Sequence, residues 1–558
     1  MLPLNLRTRY ELAMRMLSTI RKFSKACKAP LSISCRGIPI TREEDLFAYT
    51  NGHFLINEEF QRSRRYVQFD LDALCKNAAT AGGGDTSPIV AIEKMEGGFS
   101  KAFLMRKANG AEVIAKIPCR IAGPPSLTTA SEVGVLEYVR RHTSIPVPRV
   151  LSWSSDASNA VGSEYTIMTK ATGVPLFQQW GNMSEFEKLQ LIKNLTKLEA
   201  QLSAIQFPAY GGLYLRTDSM TEPTRPLNDD IDPSNSFQIG PSCDRAYNPA
   251  DMTLEFNRGP WDSVSSLGVS IAQRELIQIS NREQQQYQSS FPKGTVDQQI
   301  QLLQTTIGLM KLLDSNPLLK AEVRQPTLWH TDLHMGNIFV APDESSRIVS
   351  LIDFQSTSVL PAFLQAQWPV FLRPPQNYNY IKGIFQPKLP AYFDTLDEES
   401  KNIALREWSQ VKLTKAYEVS TFLDDRAASN AMNDVPRVFR ELFTRCAEVS
   451  EVGIVPLRAC LIEIYQSWSE LGFSGKCPYS FSQGEIDEHE RQFAEYEAWH
   501  EVRALAEECL DTDAEGWIAP QLDINEKKGQ NEELMAMYIE KVAGERSVQE
   551  AKAMWPFY

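Results

Sequence analysis

No run of 18 or so uninterrupted apolar residues occurs in the chain, which argues against a membrane-spanning helix. CxxC pairs are missing as well. Nine cysteines are scattered through 558 residues, and an odd count without pairing fits a reduced compartment better than a disulfide framework. Repeats of fixed period and long low-complexity tracts are absent, which sets aside repeat architectures. Histidine is scarce, with six copies, so two of them inside one short loop need a reason.

Acid is nearly missing from the start of the chain. Met1 to Gly37 holds eight basic residues against Glu11 alone, a net of +7, so the remainder carries −20 of an overall −13. A basic, serine-containing opening with Leu12, Met16 and Ile20 spaced four apart predicts a mitochondrial transit segment over 1–37. The other reading is a basic helical arm used for binding. The acidic body disfavours nucleic acid as a partner and is compatible with a cationic substrate.

At about 150 residues per domain, the length predicts two to four structural units. A helix is expected from Asp70, followed by the polar break "TAGGGDTSP". Three strands follow, "IVAIEKM", "KAFLMRK" and "EVIAKIP". The last two are joined across Asn109-Gly110, a pair suited to a type I′ hairpin turn. A helix is expected to begin near Thr128 or Thr129 and to run through "ASEVGVLEYVRR" to the break at "SIPVP". Two further strands read as "RVLSW" and "EYTIMT". From Met183 the pattern turns helical. Residues 208–260 are rich in Gly, Pro and Asn with little period, too long for a plain connection, and read as a functional loop or lid. Helical segments resume from about Val296 and dominate after Leu396. Strands early and helices late make an α+β pattern, a small sheet lobe followed by a larger helical one.

The chemistry is concentrated in "LWHTDLHMGNIFV". Phosphoryl transfer to a hydroxyl needs a carboxylate to orient the nucleophile's proton and an amide oxygen nearby to hold Mg²⁺, which gives an HxDxxxxN spacing. His330, Asp332 and Asn337 have that spacing. Further on, the β-branched run "RIVSLIDFQ" ends in Asp353, a carboxylate at the exit of a buried strand, where a divalent cation would neutralise it. The turn "EGGFS" between the first two strands offers Gly97, Gly98, Phe99 and Ser100 as a cover for phosphates, since glycine has no Cβ to block the approach. Lys116 falls on the third strand, where a fixed cation can hold the α/β-phosphates. Glu132 lies in line with Leu136 and Val139 on the inward helix face and needs a cation, whereas Glu137 can pair with Arg141 as a surface couple.

Gly loop, Lys, Glu, HxDxxxxN and Asp in this order resemble the kinase-like superfamily, in particular its aminoglycoside phosphotransferase and choline kinase branch. The phrases "DLFAYTNGHFL", "ASEVGVLEYVRRHTSIPVPRV", "FPAYGGLYL" and "WPFY" look like the fungal mitochondrial phosphotransferase-like family called altered inheritance of mitochondria protein 9. The resemblance implies a bilobal protein kinase-like fold with an antiparallel-sheet N-lobe over 38–170. It implies a C-lobe with an inserted lid region over 171–395 and a C-terminal helical part over 396–558. It implies ATP and Mg²⁺ as cofactors, with adenine near the "IMTKATG" linker that carries Met168 and Lys170. Asp332 is then the catalytic carboxylate with His330 bracing its loop, and Asn337 and Asp353 are the metal ligands. The acceptor is a hydroxyl of a small molecule. Asp353-Phe354-Gln355 replaces the DFG of protein kinases and Thr331 the Arg of HRD, so an activation loop under phosphorylation control is not expected. Two other functions stay open at this point. One is a nucleotide-binding scaffold with a protein partner, and the other is a metal-dependent hydrolase built on the HxDxH cluster.

Overall fold

A computed structural model describes residues 31–83, 86–216, 222–248, 254–281, 291–375, 378 and 380–558. The expected transit segment lies outside the described residues up to position 30. Among the described residues, no helix is long and apolar enough to cross a membrane.

Seven strands form the N-terminal sheet: β1 (Ser32–Cys35), β2 (Ile38–Pro39), β3 (Ile89–Glu96), β4 (Ser100–Lys107), β5 (Glu112–Pro118), β6 (Val150–Ser154) and β7 (Tyr165–Thr169). Their order is β2-β1-β3-β4-β5-β7-β6, antiparallel throughout except for β1 beside β3. Alternation buries one face of the central strands, with Ile92, Phe103, Met105, Ala115, Ile117 and Ile167 fully enclosed. The β4–β5 connection is a hairpin, but its turn differs from the expected type I′. Only Gly110 takes a positive φ, +85°, and its N–H donates to Lys107 O while the Lys107 N–H donates to Ala111 O. That is a type I turn followed by a bulge at glycine, so Asn109 does not need the left-handed region.

Helix α1 (Leu127–His142) packs beneath the sheet. Its cap position is Ser126 rather than Thr128 or Thr129, with no side-chain cap bond. Thr128 Oγ1 instead donates to Pro124 O at 2.9 Å. Glu137 is buried rather than a surface residue, and it pairs with both Arg140 and Arg141 at 2.8 Å.

The larger lobe is helical, built on Glu185–Ser203, Val264–Ser280, Val296–Met310, Glu398–Asp424, Val455–Gln466 and Gln483–Leu510. The Glu185 helix opens with a Ser184–Glu187 capping box, which satisfies its first donors. Helix Val264–Ser280 begins well before the helical pattern expected from Val296. Residues 208–260 are not a loop throughout. Gly212–Leu215, Phe237–Gly240 and Arg225–Pro226 make a three-stranded antiparallel sheet packed on α1. Strands of two to four residues are too short to leave a readable period, so the sequence there resembles a connection.

Candidate active site

The site lies where β5, α1 and two C-lobe loops meet. Alternation along β5 turns Lys116 away from the face that buries Ala115 and Ile117. Its ammonium lies 2.6 Å from Glu132 Oε1 on α1 and 2.7 Å from Asp353 Oδ1. Burial alone would push the lysine toward neutrality, but Asp353 and Glu132 outweigh it and hold Lys116 above its ordinary value. Burial likewise opposes ionisation of Asp353, and the Lys116 charge reverses this and keeps the carboxyl below its usual range. Lys116 therefore stays cationic and Asp353 anionic at neutral pH.

Asp353 follows strand Glu344–Leu351 and adopts φ +66°. A non-glycine residue in that region is strained unless its surroundings fix it, and such residues concentrate at working sites. The bond from Ile352 N–H to Asn337 O, 3.1 Å, ties this turn to the neighbouring loop. On that loop Asn337 Nδ2 donates to Asp332 O at 3.0 Å, leaving Oδ1 open. Asn337 is buried, and an amide oxygen and a carboxylate oxygen are hard donors, of the kind that suits Mg²⁺ better than a softer metal.

His330 accepts from the Asp332 N–H at 3.3 Å through Nδ1, so its Nε2 carries the proton and donates to Ile352 O at 2.9 Å. Its ring meets buried Phe354 at a centroid distance of 4.5 Å, and burial pushes its pKa down. The imidazole is a neutral brace with both nitrogens engaged. His334 accepts from Gly336 N–H at 3.0 Å. No group of three His, Cys, Asp or Glu side chains that could hold a metal ion occurs among the described residues.

The Gly loop reaches the turn that carries Asp353. Gly97 N–H donates to Ser100 O at 3.1 Å, and neither Gly97 nor Gly98 takes a positive φ. A Cβ on Gly98 would meet nothing within 4 Å, so the open space there is what the missing side chain provides. Ser100 Oγ donates to Gln355 Oε1 at 3.0 Å, joining loop and metal-side turn through the residue that departs from DFG. Cys119 N–H donates to Phe99 O at 2.8 Å. Of the linker residues, Met168 is buried in β7 beside Ile114. Lys170 is not gathered with the others: its ammonium pairs with Glu112 at 2.7 Å, at the far end of β5.

Two contributors were not foreseen. Arg65, buried, donates from Nε to Gly98 O at 3.1 Å and pairs with Glu515. Arg245, from within 208–260, places its guanidinium carbon 3.3 Å from the centroid of Phe99. Neither belongs to a spacing pattern that sequence could display. A groove of about 1920 Å³ lined by Phe99, Gly123, Thr128 and Arg245 opens beside the loop tip and includes none of Lys116, Asp332, Asn337 or Asp353. This groove is therefore beside the charged cleft and not in it.

A strand lysine fixed by a helix glutamate under a glycine turn, with two paired loops below, defines a bilobal kinase-like fold. Residues 91–363 match the model of the phosphotransferase enzyme family, a span containing every site residue expected from the sequence. The matched span is just under half of the chain. A subtelomeric hrmA-associated cluster protein of Aspergillus fumigatus is 29% identical over 83% of this chain and 95% of its own. Altered inheritance of mitochondria protein 9, mitochondrial, of Yarrowia lipolytica is 23% identical over 85% of this chain and 84% of its own. A solved streptomycin–ATP–APH(2")-IIa ternary complex is 16% identical over 69% of this chain and 94% of that one, with a TM-score of 0.32, too slight to add to the geometry above.

Proposed function

We propose that the protein is an ATP- and Mg²⁺-dependent phosphotransferase that moves the terminal phosphoryl group to a hydroxyl of a small molecule. The observation that carries this reading is the Lys116 ammonium held between Glu132 and Asp353, at 2.6 and 2.7 Å. In this reading Lys116 holds the α/β-phosphates, Gly97 to Ser100 cover them, and the linker at Met168 borders the adenine, with Lys170 turned away to Glu112. Asn337 and Asp353 hold the metal, which when bound supplies charge neutralisation for the group in transfer. Asp332 orients the acceptor hydroxyl and takes its proton, while His330 fixes the Asp332 backbone. Residues 208–260 and the helices after 396 enclose a small acceptor, in keeping with the wide separation of linker and catalytic loop. The basic opening segment and the mitochondrial names of relatives support a mitochondrial address.

Labelled ATP offered with a fractionated metabolite extract is the decisive experiment, run beside Asp332→Asn. One labelled product is expected with the wild-type chain, and a loss of ~10²- to 10⁴-fold in rate with the variant at little cost in nucleotide affinity. Equal turnover by both proteins would remove Asp332 from its role. Binding of Mg-ATP without any product would turn the reading into a nucleotide-dependent scaffold.

A further inference from the structure

Residues 208–260 bring one cation to the rim of the cleft. Arg245 opens the single turn Arg245–Tyr247, capped by Asp244, whose carboxylate accepts from Ala246 N–H at 2.8 Å. The turn is wedged in place on both sides. Asn248 Nδ2 donates to Arg120 O at 2.6 Å on the chain leading into α1, and Cys243 Sγ lies 3.7 Å from Thr357 O just beyond Asp353. The Arg245 guanidinium lies over the Phe99 ring at the Gly-loop tip. Burial pushes its pKa below the ordinary arginine value against the opposing carboxylates of Asp353, Asp244 and Asp332, and among the described residues it makes no ion pair. A guanidinium with one face stacked on an aromatic ring keeps its N–H edge open, in the planar fork that suits a phosphate.

We propose that Arg245 is a further catalytic cation of the transfer, one that contacts the phosphoryl group in transit rather than the nucleotide tail; this rests on the function proposed above. Lys116 is committed deep in the cleft to Glu132 and Asp353. Arg245 stands instead over Phe99 at the tip of the Gly loop, the turn that in the proposed function covers the phosphates. In the step it serves, the acceptor oxygen forms a bond to the terminal phosphorus while the bond from that phosphorus to the bridging oxygen breaks. The acceptor's proton goes to Asp332, and the bond's electron pair leaves with the diphosphate. Negative charge spread over the equatorial oxygens is what an arginine at this point stabilises. Delivering it would give the 208–260 insertion a purpose that enclosing a substrate does not require.

The test is calorimetry on the full chain with Mg-ADP alone and with Mg-ADP plus aluminium fluoride, a planar mimic of the group in transit. The wild-type chain is expected to bind the second combination more tightly. Arg245→Ala should lose ~30-fold or more of that tightening, with Mg-ADP affinity kept within about 3-fold, and Arg245→Lys should recover little of it, since an ammonium has no fork. Melting temperatures of both variants check that they fold. If Arg245→Ala weakens both combinations equally, the residue only braces Phe99 and the inference fails. It fails as well if neither combination changes, or if aluminium fluoride adds nothing to the wild type. A wild-type chain that binds neither combination overturns the proposed function itself, which the first titration reveals before any variant is made.

Discussion

Asp353 joins two demands that pull in opposite directions. Its carboxylate remains ionised beside a half-buried lysine, and in the proposed function it must also present an oxygen to the metal from a left-handed backbone. Asparagine tolerates the same backbone and has the same shape, so Asp353→Asn isolates the charge. The substitution is expected to weaken Mg-nucleotide binding ~10-fold or more in titrations with metal. Melting without nucleotide should hardly change, because Glu132 still pairs with Lys116. Loss of nucleotide-free stability with unchanged binding would make Asp353 a structural residue. Glu199 offers a separate test, far from this chemistry. It is buried with Oε1 unpartnered, accepts from Tyr417 OH at 2.9 Å, and burial raises it from 4.5 to about 8. The folded chain keeps this proton up to about pH 8 and the unfolded chain releases it near 4.5, so stability falls as pH rises through that window. Glu199→Gln abolishes the titration. Melting temperatures of the two proteins should coincide near pH 5 and separate in the variant's favour toward pH 8, and a constant gap across that range would refute the account.

At the scale of elements, α1 connects the lysine to the insertion. Gly134 sits mid-helix, and a Cβ there would come within 2.5 Å of Leu213 O and 2.8 Å of the Tyr214 Cα. Backbone cannot retreat as a flexible side chain could. Gly134→Ala is therefore expected to destabilise the fold by about 1–3 kcal/mol in chemical denaturation, although alanine is the better helix former. An unchanged or raised midpoint would mean that the strand moves aside at no cost. This contact also marks where sequence reading ran out. Lys116 and Glu132 were legible because a period of two along β5 and positions i+4 and i+7 along α1 orient them without further information. Asp332, Asn337 and Asp353 stood out because an HxDxxxxN spacing and a carboxylate at a strand exit suggest a chemistry by themselves, which the proposed function takes up. Gly134 has no such pattern: its partner is a four-residue strand in a segment without period, and only three dimensions bring the two together. The same holds for Arg245, for Gln355 against Ser100, and for helix Val264–Ser280, whose mix of serine, glycine and glutamine hides its apolar stripe.

Taken as a whole, the molecule closes on itself through its C-terminal segment, and this closure reaches the Gly loop. Trp517–Ile518 pairs antiparallel with His53–Phe54, and Leu55 N–H donates to Gly516 O at 2.8 Å. Leu55, Leu510, Ile518, Trp555 and Phe557 form one apolar cluster. The stretch so pinned, from Asp45 to Arg65, holds the Gly-loop hairpin at its base and at its tip. Lys94 Nζ donates to Asp45 O and Ala48 O at 2.8 Å, Thr50 N–H donates to Glu96 at 2.8 Å, and Arg65 holds the Gly98 carbonyl while pairing with Glu515. Ordering the loop before a nucleotide arrives lowers the entropy lost on binding, so the far end of the chain should set affinity rather than chemistry. Gly52 gives a point of attack, since a Cβ there would lie 2.4 Å from Ile518 O at a backbone φ of +115°. Gly52→Ala, and separately a chain ending at Asp511, should both raise hydrogen exchange over 45–65 and 96–101. Mg-nucleotide binding should weaken ~10-fold in each, with the rate at saturation nearly kept. The shortened chain could fail to fold, and Gly52→Ala then decides. Faster exchange confined to the C-terminal segment, with nucleotide binding intact, would show that the segment packs against the N-lobe without governing its loop.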